Sequence, residues 1–212
     1  MILFFCIVLP LLPAFVFMGG KTRKTVLFML IGLFVCLFAS FINGFIQNIS
    51  GMTRYEMTYL VTPMTEELLK IIPLIIYVYL FRPERHDIIT AAVMVGIGFA
   101  ILENAYICTS GLKNVVFYFA IIRGMGAGLM HGMCTLIAGF GMTYFHLRRK
   151  LAIVGTYALL IFSAVYHACY NLLIQSDYSQ FGLLLPVTTI AVLLGVLYFN
   201  RRQIKRQKNK TQ

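Results

Sequence analysis

Two adjacent glutamates, Glu66 and Glu67, stand in an otherwise apolar run, with Lys70 one helical turn further on. Glu103 with Asn104, His131 with Thr135, and His167 with Asn171 interrupt equally apolar stretches downstream. Glu66 and Lys70, His131 and Thr135, and His167 and Asn171 are each four positions apart, which puts both members of each pair on one face of a helix. Such groups are expensive where only apolar side chains are cheap, so a chain that keeps them uses them. The types point to water activation: a desolvated glutamate is a candidate general base, and imidazoles can donate to a developing oxyanion. Glu66, Glu67, His131 and His167 are therefore the candidate catalytic residues. Glu66 is preferred as the base because it shares a face with Lys70, and Glu67, three residues from Lys70, is a close second. Lys70, Glu103, Asn104, Arg123 and Asn171 are expected to support them, with Asn171 either an oxyanion donor or the orienter of His167. Thr135 reads as a hydroxyl bonded back to its own helix. The expectation is a mechanism with no cofactor. Its rival is a zinc site using Glu67, Glu103, His131 and His167, although there is no HExxH pair and the two histidines come from different segments. Cys134 lies three residues after His131, but a thiolate is unfavourable there without more positive charge.

The elements that must carry these residues are membrane spans. Of 212 residues 60% are hydrophobic and 12% charged, with a mean hydropathy of +0.85, which excludes an ordinary soluble domain. The reading is an all-α polytopic bundle of about seven transmembrane helices. The spans are Met1 to about Met18, Val26 to Ile46, Met57 to Phe81, Ile88 to Cys108, Gly126 to Phe145, Leu151 to Ile174 and Phe181 to Phe199. The stretch from Val115 to Leu147 would be about 50 Å long as one straight helix, so it is expected to break at Gly124, Gly126 and Gly128 after an interfacial piece. Residues 1–200 form one membrane domain and 201–212 a basic tail. The formal charge of +11 is a topology signal rather than a mark of nucleic-acid binding: fourteen of the 18 Lys and Arg fall in alternate loops and the tail. By the positive-inside rule the N-terminus is outside and the C-terminus cytoplasmic, where the tail meets anionic lipid. In that frame the polar residues of four spans fall in the outer third of the bilayer and form one pocket. The five cysteines, Cys6, Cys36, Cys108, Cys134 and Cys169, lie in apolar stretches with no CxxC pair and argue against a disulfide framework.

Taken in order, Glu66-Glu67-Leu68-Leu69-Lys70, Gly98-Phe99-Ala100-Ile101-Leu102-Glu103-Asn104, Arg123 eight residues before His131, and His167-Ala168-Cys169-Tyr170-Asn171 form a set of motifs. EExxK alone is weak, but the ordered set from Thr65 to Asn171 is specific, and it resembles the PrsW family of intramembrane proteases. Ala168 departs from the glycine that commonly follows the last histidine. The resemblance implies kinship with the CAAX-prenyl endopeptidases, whose paired glutamates and histidines form the active site. It also implies a bacterial plasma-membrane protease making the first, site-one cut in a single-pass anti-sigma factor. The rivals are a zinc-dependent protease using the same residues, a CAAX-type endopeptidase, a non-catalytic scaffold resembling that of gamma-secretase, and an ion-coupled transporter. The intact double glutamate argues against the scaffold, and the lack of inverted halves against the transporter. The sequence names neither substrate nor oligomeric state.

Overall fold

A computed structural model of the chain describes residues 19–110, 117–182 and 184–191, and every regular element among them is a helix. The expected first span, about half of the seventh and the basic tail lie outside these residues. Helix α1 runs Gly20–Ser50 and ends on Gly51, whose φ of 67° lets its N–H return to the Gln47 carbonyl. Thr53 then starts the next helix with a capping box: its hydroxyl accepts from the Glu56 N–H while its own N–H donates to the Glu56 carboxylate. The Thr53 amide holds that carboxyl below the ordinary glutamate range. After the turn Arg54–Glu56 comes a π turn, Met57–Val61, and then α2, Thr62–Phe81. Helix α3 spans Arg85–Ser110, α4 Phe117–Met142 and α5 Arg149–Gln175, followed by a 3-10 turn at Ser179–Phe181 and helix in 184–191.

Helix α3 packs between α1 and α4, α4 lies against α5, and α2 crosses the bundle to touch α1, α4 and α5. Small residues set the crossings. A side chain at Gly98 of α3 would run into the Met29 carbonyl of α1, and one at Gly96 into the His131 peptide of α4. Lipid tails offer no hydrophobic drive between helices, so backbone approach at such positions is what allows dispersion contacts to build up. The pockets between helices fill with Ile71, Leu74, Val78, Ala91, Ala92 and Val95 toward one end, and with Leu33, Cys36, Phe99 and Leu102 between α1 and α3. Phe34, Phe38, Phe41 and Phe45 recur at helical spacing on α1 and stay exposed, a face suited to lipid.

Basic residues cluster at one end of the bundle. Lys24 of α1 pairs with Asp87 of α3 at 3.1 Å, Arg85 lies over the Tyr144 ring, and His146 reaches the Val78 carbonyl at 3.2 Å. Four helices among the described residues are long and apolar enough to cross a membrane: Gly20–Ser50, Arg85–Thr109, Gly124–Met142 and Arg149–Gln175. The chain is thus a multi-pass membrane protein. Helix α2 matches a bilayer core in length, at about 30 Å for its 20 residues. Its two carboxylates and lysine lower its apolarity. One expectation is corrected: α4 does not break at Gly124, Gly126 and Gly128 but runs unbroken from Phe117 to Met142. Each glycine weakens a helix by about 1 kcal/mol. Opening the backbone in hydrocarbon would cost several times that for every orphaned amide, so the helix persists. The four cysteines among the described residues are free thiols, as expected.

Candidate active site

Glu66 and Glu67 sit on the second turn of α2, where successive side chains point about 100° apart. Both are buried, and the bundle brings Lys70 of α2, Glu103 of α3, His131 of α4 and His167 of α5 to meet them. The Lys70 ammonium donates to Glu67 Oε1 at 2.7 Å and lies 2.7 Å from His131 Nδ1. An ammonium has no acceptor, so Nδ1 must accept and the His131 proton must sit on Nε2, which donates to Glu103 Oε2 at 2.8 Å. His167 is oriented the other way round: its Nδ1 donates to Glu67 Oε1 at 2.9 Å. Its Nε2 lone pair then faces Glu66 Oε2 at 3.8 Å. The two imidazoles meet edge to face, with ring centroids 4.8 Å apart and planes at 89°.

The local sequence explains the placement. Gly96 lets α3 lie on the His131 peptide, and the Phe99 ring forms the floor, with Lys70 Nζ 4.0 Å from its centroid and the His131 ring at 5.0 Å. Thr135 donates back to the His131 carbonyl at 2.9 Å, as its spacing predicts. Ser163 and Cys134 clasp α5 to α4 through each other's backbone: Ser163 Oγ donates to the Cys134 carbonyl and Cys134 Sγ to the Ser163 carbonyl. Cys134 is thereby a packing residue. Glu103 has the most exposed side chain of the cluster, at 21%, whereas Lys70 and His131 have none exposed.

Three ligand-bearing side chains, Glu66, His131 and His167, bring one donor atom each within 4.8 Å of one another. One carboxylate with two imidazoles is a donor set that catalytic zinc sites use, leaving a fourth position for water or substrate. Glu67 behind His167 and Glu103 behind His131 supply the carboxylate–imidazole contacts that orient metal-ligating histidines. The residues therefore fit a divalent cation. Because both nitrogens of His131 are engaged, by Lys70 and by Glu103, ligation through it requires one of those bonds to yield.

The geometry departs from the sequence reading in three places. Lys70 pairs with Glu67, not with Glu66, so the shared-face reason for preferring Glu66 does not hold. The ligand group contains Glu66, whereas Glu67 and Glu103 stand behind the imidazoles. The Asn171 side chain is engaged elsewhere than on His167: its Nδ2 donates to the Thr58 carbonyl at 3.1 Å. Asn104 has a buried Oδ1 with no hydrogen bond among the described residues, and the Arg123 side chain lies outside them. Sequence reasoning missed Phe99 as the floor of the site, although it lies inside a motif already singled out. It also missed the π turn, whose one signal is Pro63 just ahead of the glutamates.

The family described as PrsW family intramembrane metalloprotease matches residues 21–200. Neither the curated proteins nor the solved structures provide a match.

Proposed function

The chain belongs to the PrsW family of intramembrane metalloproteases and is a peptide-bond hydrolase of the membrane, and from that premise we propose that the Glu66, His131 and His167 cluster is its catalytic centre. The substrate is a single-pass membrane protein of the anti-sigma-factor kind, cut once near the extracytoplasmic face of a bacterial plasma membrane. The observation that carries the reading is the convergence of three potential ligands from three helices in one buried place, with a carboxylate behind each imidazole.

Glu66, His131 and His167 would hold the metal. Zinc, when bound there, supplies a Lewis acid for the scissile carbonyl and an acidified water. The protein's own groups do the rest. Glu66 faces His167 Nε2 and would share the metal with it; with no metal in the reaction, it is the carboxylate positioned to take or return a proton at the reacting centre. Glu67 is committed elsewhere: its Oε1 accepts from both Lys70 and His167, and it fixes the His167 ring and tautomer. Glu103 does the same for His131 and lies at the most exposed edge of the cluster. Lys70 keeps positive charge beside the place where an oxyanion develops, which is where preorganised charge lowers a barrier most.

The test is cleavage of a panel of single-pass proteins by the purified chain in proteoliposomes, with and without a chelator. Loss of cleavage on chelation and return with zinc is the expected result. Undiminished cleavage in chelator would return the reaction to glutamate-activated water without metal.

A further inference from the structure

The π turn Met57–Val61 places one extra residue in the helix that leads into the glutamates. There the Thr62 N–H bonds the Met57 carbonyl, five residues back, instead of the Thr58 carbonyl four back. The next candidate donor to Thr58 is residue 63, and Pro63 has no N–H. The Thr58 carbonyl therefore loses its donor in either helical register, in a place where an orphaned backbone acceptor is costly. Asn171 supplies the missing bond from α5, one turn beyond His167 on the same face. A second tie fixes the same segment from the other side, where the Thr65 hydroxyl bonds Asn43 of α1.

We propose that Asn171 is a positioning residue that sets the rotation of the Glu66–Glu67 turn by capping the Thr58 carbonyl left open by the π turn and Pro63. One residue of α-helix corresponds to about 100° of rotation, so losing the bulge would swing the head of the helix by that angle relative to the glutamates. Asn171 and His167 sit on one rigid turn of α5, and Thr58 and Glu67 are the points on the other chain segment that they hold. The tie thus locks the carboxylates to the imidazole they must face. π turns recur at functional sites, and here the feature has a defined closing contact. The inference rests on the reading of the Glu66 cluster as the catalytic centre.

The experiment is a rescue. Asn171→Leu removes the donor at nearly constant volume, and Pro63→Ala gives residue 63 an N–H that can reach the Thr58 carbonyl. Full-length enzyme and variants are reconstituted in proteoliposomes with a single-pass reporter that the wild type cleaves, and amide hydrogen exchange across residues 57–65 is followed in parallel. Asn171→Leu is expected to lower kcat by about tenfold or more with KM little changed, and to speed exchange in the segment. Adding Pro63→Ala is expected to restore kcat to within about threefold of Pro63→Ala alone, and to slow exchange again. If the leucine variant is not recovered in the membrane, Asn171→Ala takes its place. Activity loss without faster exchange, or loss that Pro63→Ala leaves unrepaired, would overturn the proposal and place Asn171 on the substrate instead. Unchanged activity in Asn171→Leu would overturn it as well. The exchange readout needs no peptidase activity, so failure of the catalytic reading shows separately, as a wild type that cleaves nothing while the exchange pattern stands.

Discussion

Glu67 and Lys70 form a buried pair whose removal and retention have opposite consequences. Taking away Lys70 alone, as Lys70→Met, strands a buried carboxylate, and the expected loss is about 3–5 kcal/mol, read as a fall in Tm in detergent. Glu67→Gln in the same chain should recover much of it, because a neutral amide no longer needs the cation; the double-mutant cycle gives the coupling directly. Glu66→Gln is a different experiment. It leaves the Lys70–Glu67 pair intact, so the enzyme should fold and insert normally while hydrolysis falls to background and bound zinc, measured by elemental analysis, drops. Full turnover by Glu66→Gln would remove Glu66 from the chemistry. Glu67→Gln alone should weaken zinc affinity by about 10- to 100-fold through the His167 ring it orients. Residue types and helix faces made this cluster legible in the sequence: acids, imidazoles and a lysine that hydrocarbon would otherwise reject. Which glutamate Lys70 joins was not legible. Positions three and four before a lysine share its face, and the choice falls to wherever α5 sets His167.

Among the helices, glycines fall into two kinds that the sequence does not separate. Gly124 and Gly128 have open space where a side chain would go, whereas Gly98 lies against the Met29 carbonyl and Gly96 against the His131 peptide. Gly128→Ala should therefore stabilise α4 by up to about 1 kcal/mol through helix propensity. Gly98→Ala should destabilise by about 1–3 kcal/mol, and by more if α1 and α3 separate, because the obstacle is backbone and cannot rotate away. Thermal melts of the two variants side by side test both signs; equal effects would mean that α3 and α1 do not approach as closely as the structure has them. The same distinction explains why a break in α4 was expected and not found. Three glycines in a short run read as a hinge by propensity, but inside hydrocarbon the hydrogen-bond ladder outweighs propensity, and α4 stays whole. The break that does occur, at Met57–Val61, carries no glycine, and only Pro63 beside it hints at the backbone defect. The spans carrying the site were legible from hydropathy; the π turn was not, because the bond that satisfies its open carbonyl comes from α5 about 110 residues later.

Across the whole molecule, the Glu66, His131 and His167 cluster sits away from the basic end. Glu103 lies about 27 Å along α3 from Arg85 but only about 10 Å from Ser110, and His167 about 27 Å along α5 from Arg149 and about 12 Å from Gln175. If the basic end faces the cytoplasm, as the loop charges predict, a cysteine placed at Arg149 in a cysteine-depleted chain should label from inside and one at Arg54 from outside. The reverse labelling would turn the cluster toward the cytoplasm and favour a CAAX-type substrate. In that orientation the proposed catalytic role of the cluster would also set where the enzyme cuts. A peptide bond can reach the cluster from the nearer surface through about two turns of helix, without crossing the hydrocarbon core. The substrate's own carbonyls are tied up in its helix, so the scissile segment must unwind, and unwinding costs least where interfacial water satisfies the freed groups. Glu103 is the most exposed member of the cluster. The expected product is a membrane stub shortened at its extracytoplasmic juxtamembrane stretch or first outer turns, still spanning the bilayer and open to a second protease. Mass spectrometry of the fragments reads the position directly. Cuts confined to the cytoplasmic half of the substrate would contradict this account even with every glutamate essential, because depth, and not only chemistry, decides which bond this cluster can reach.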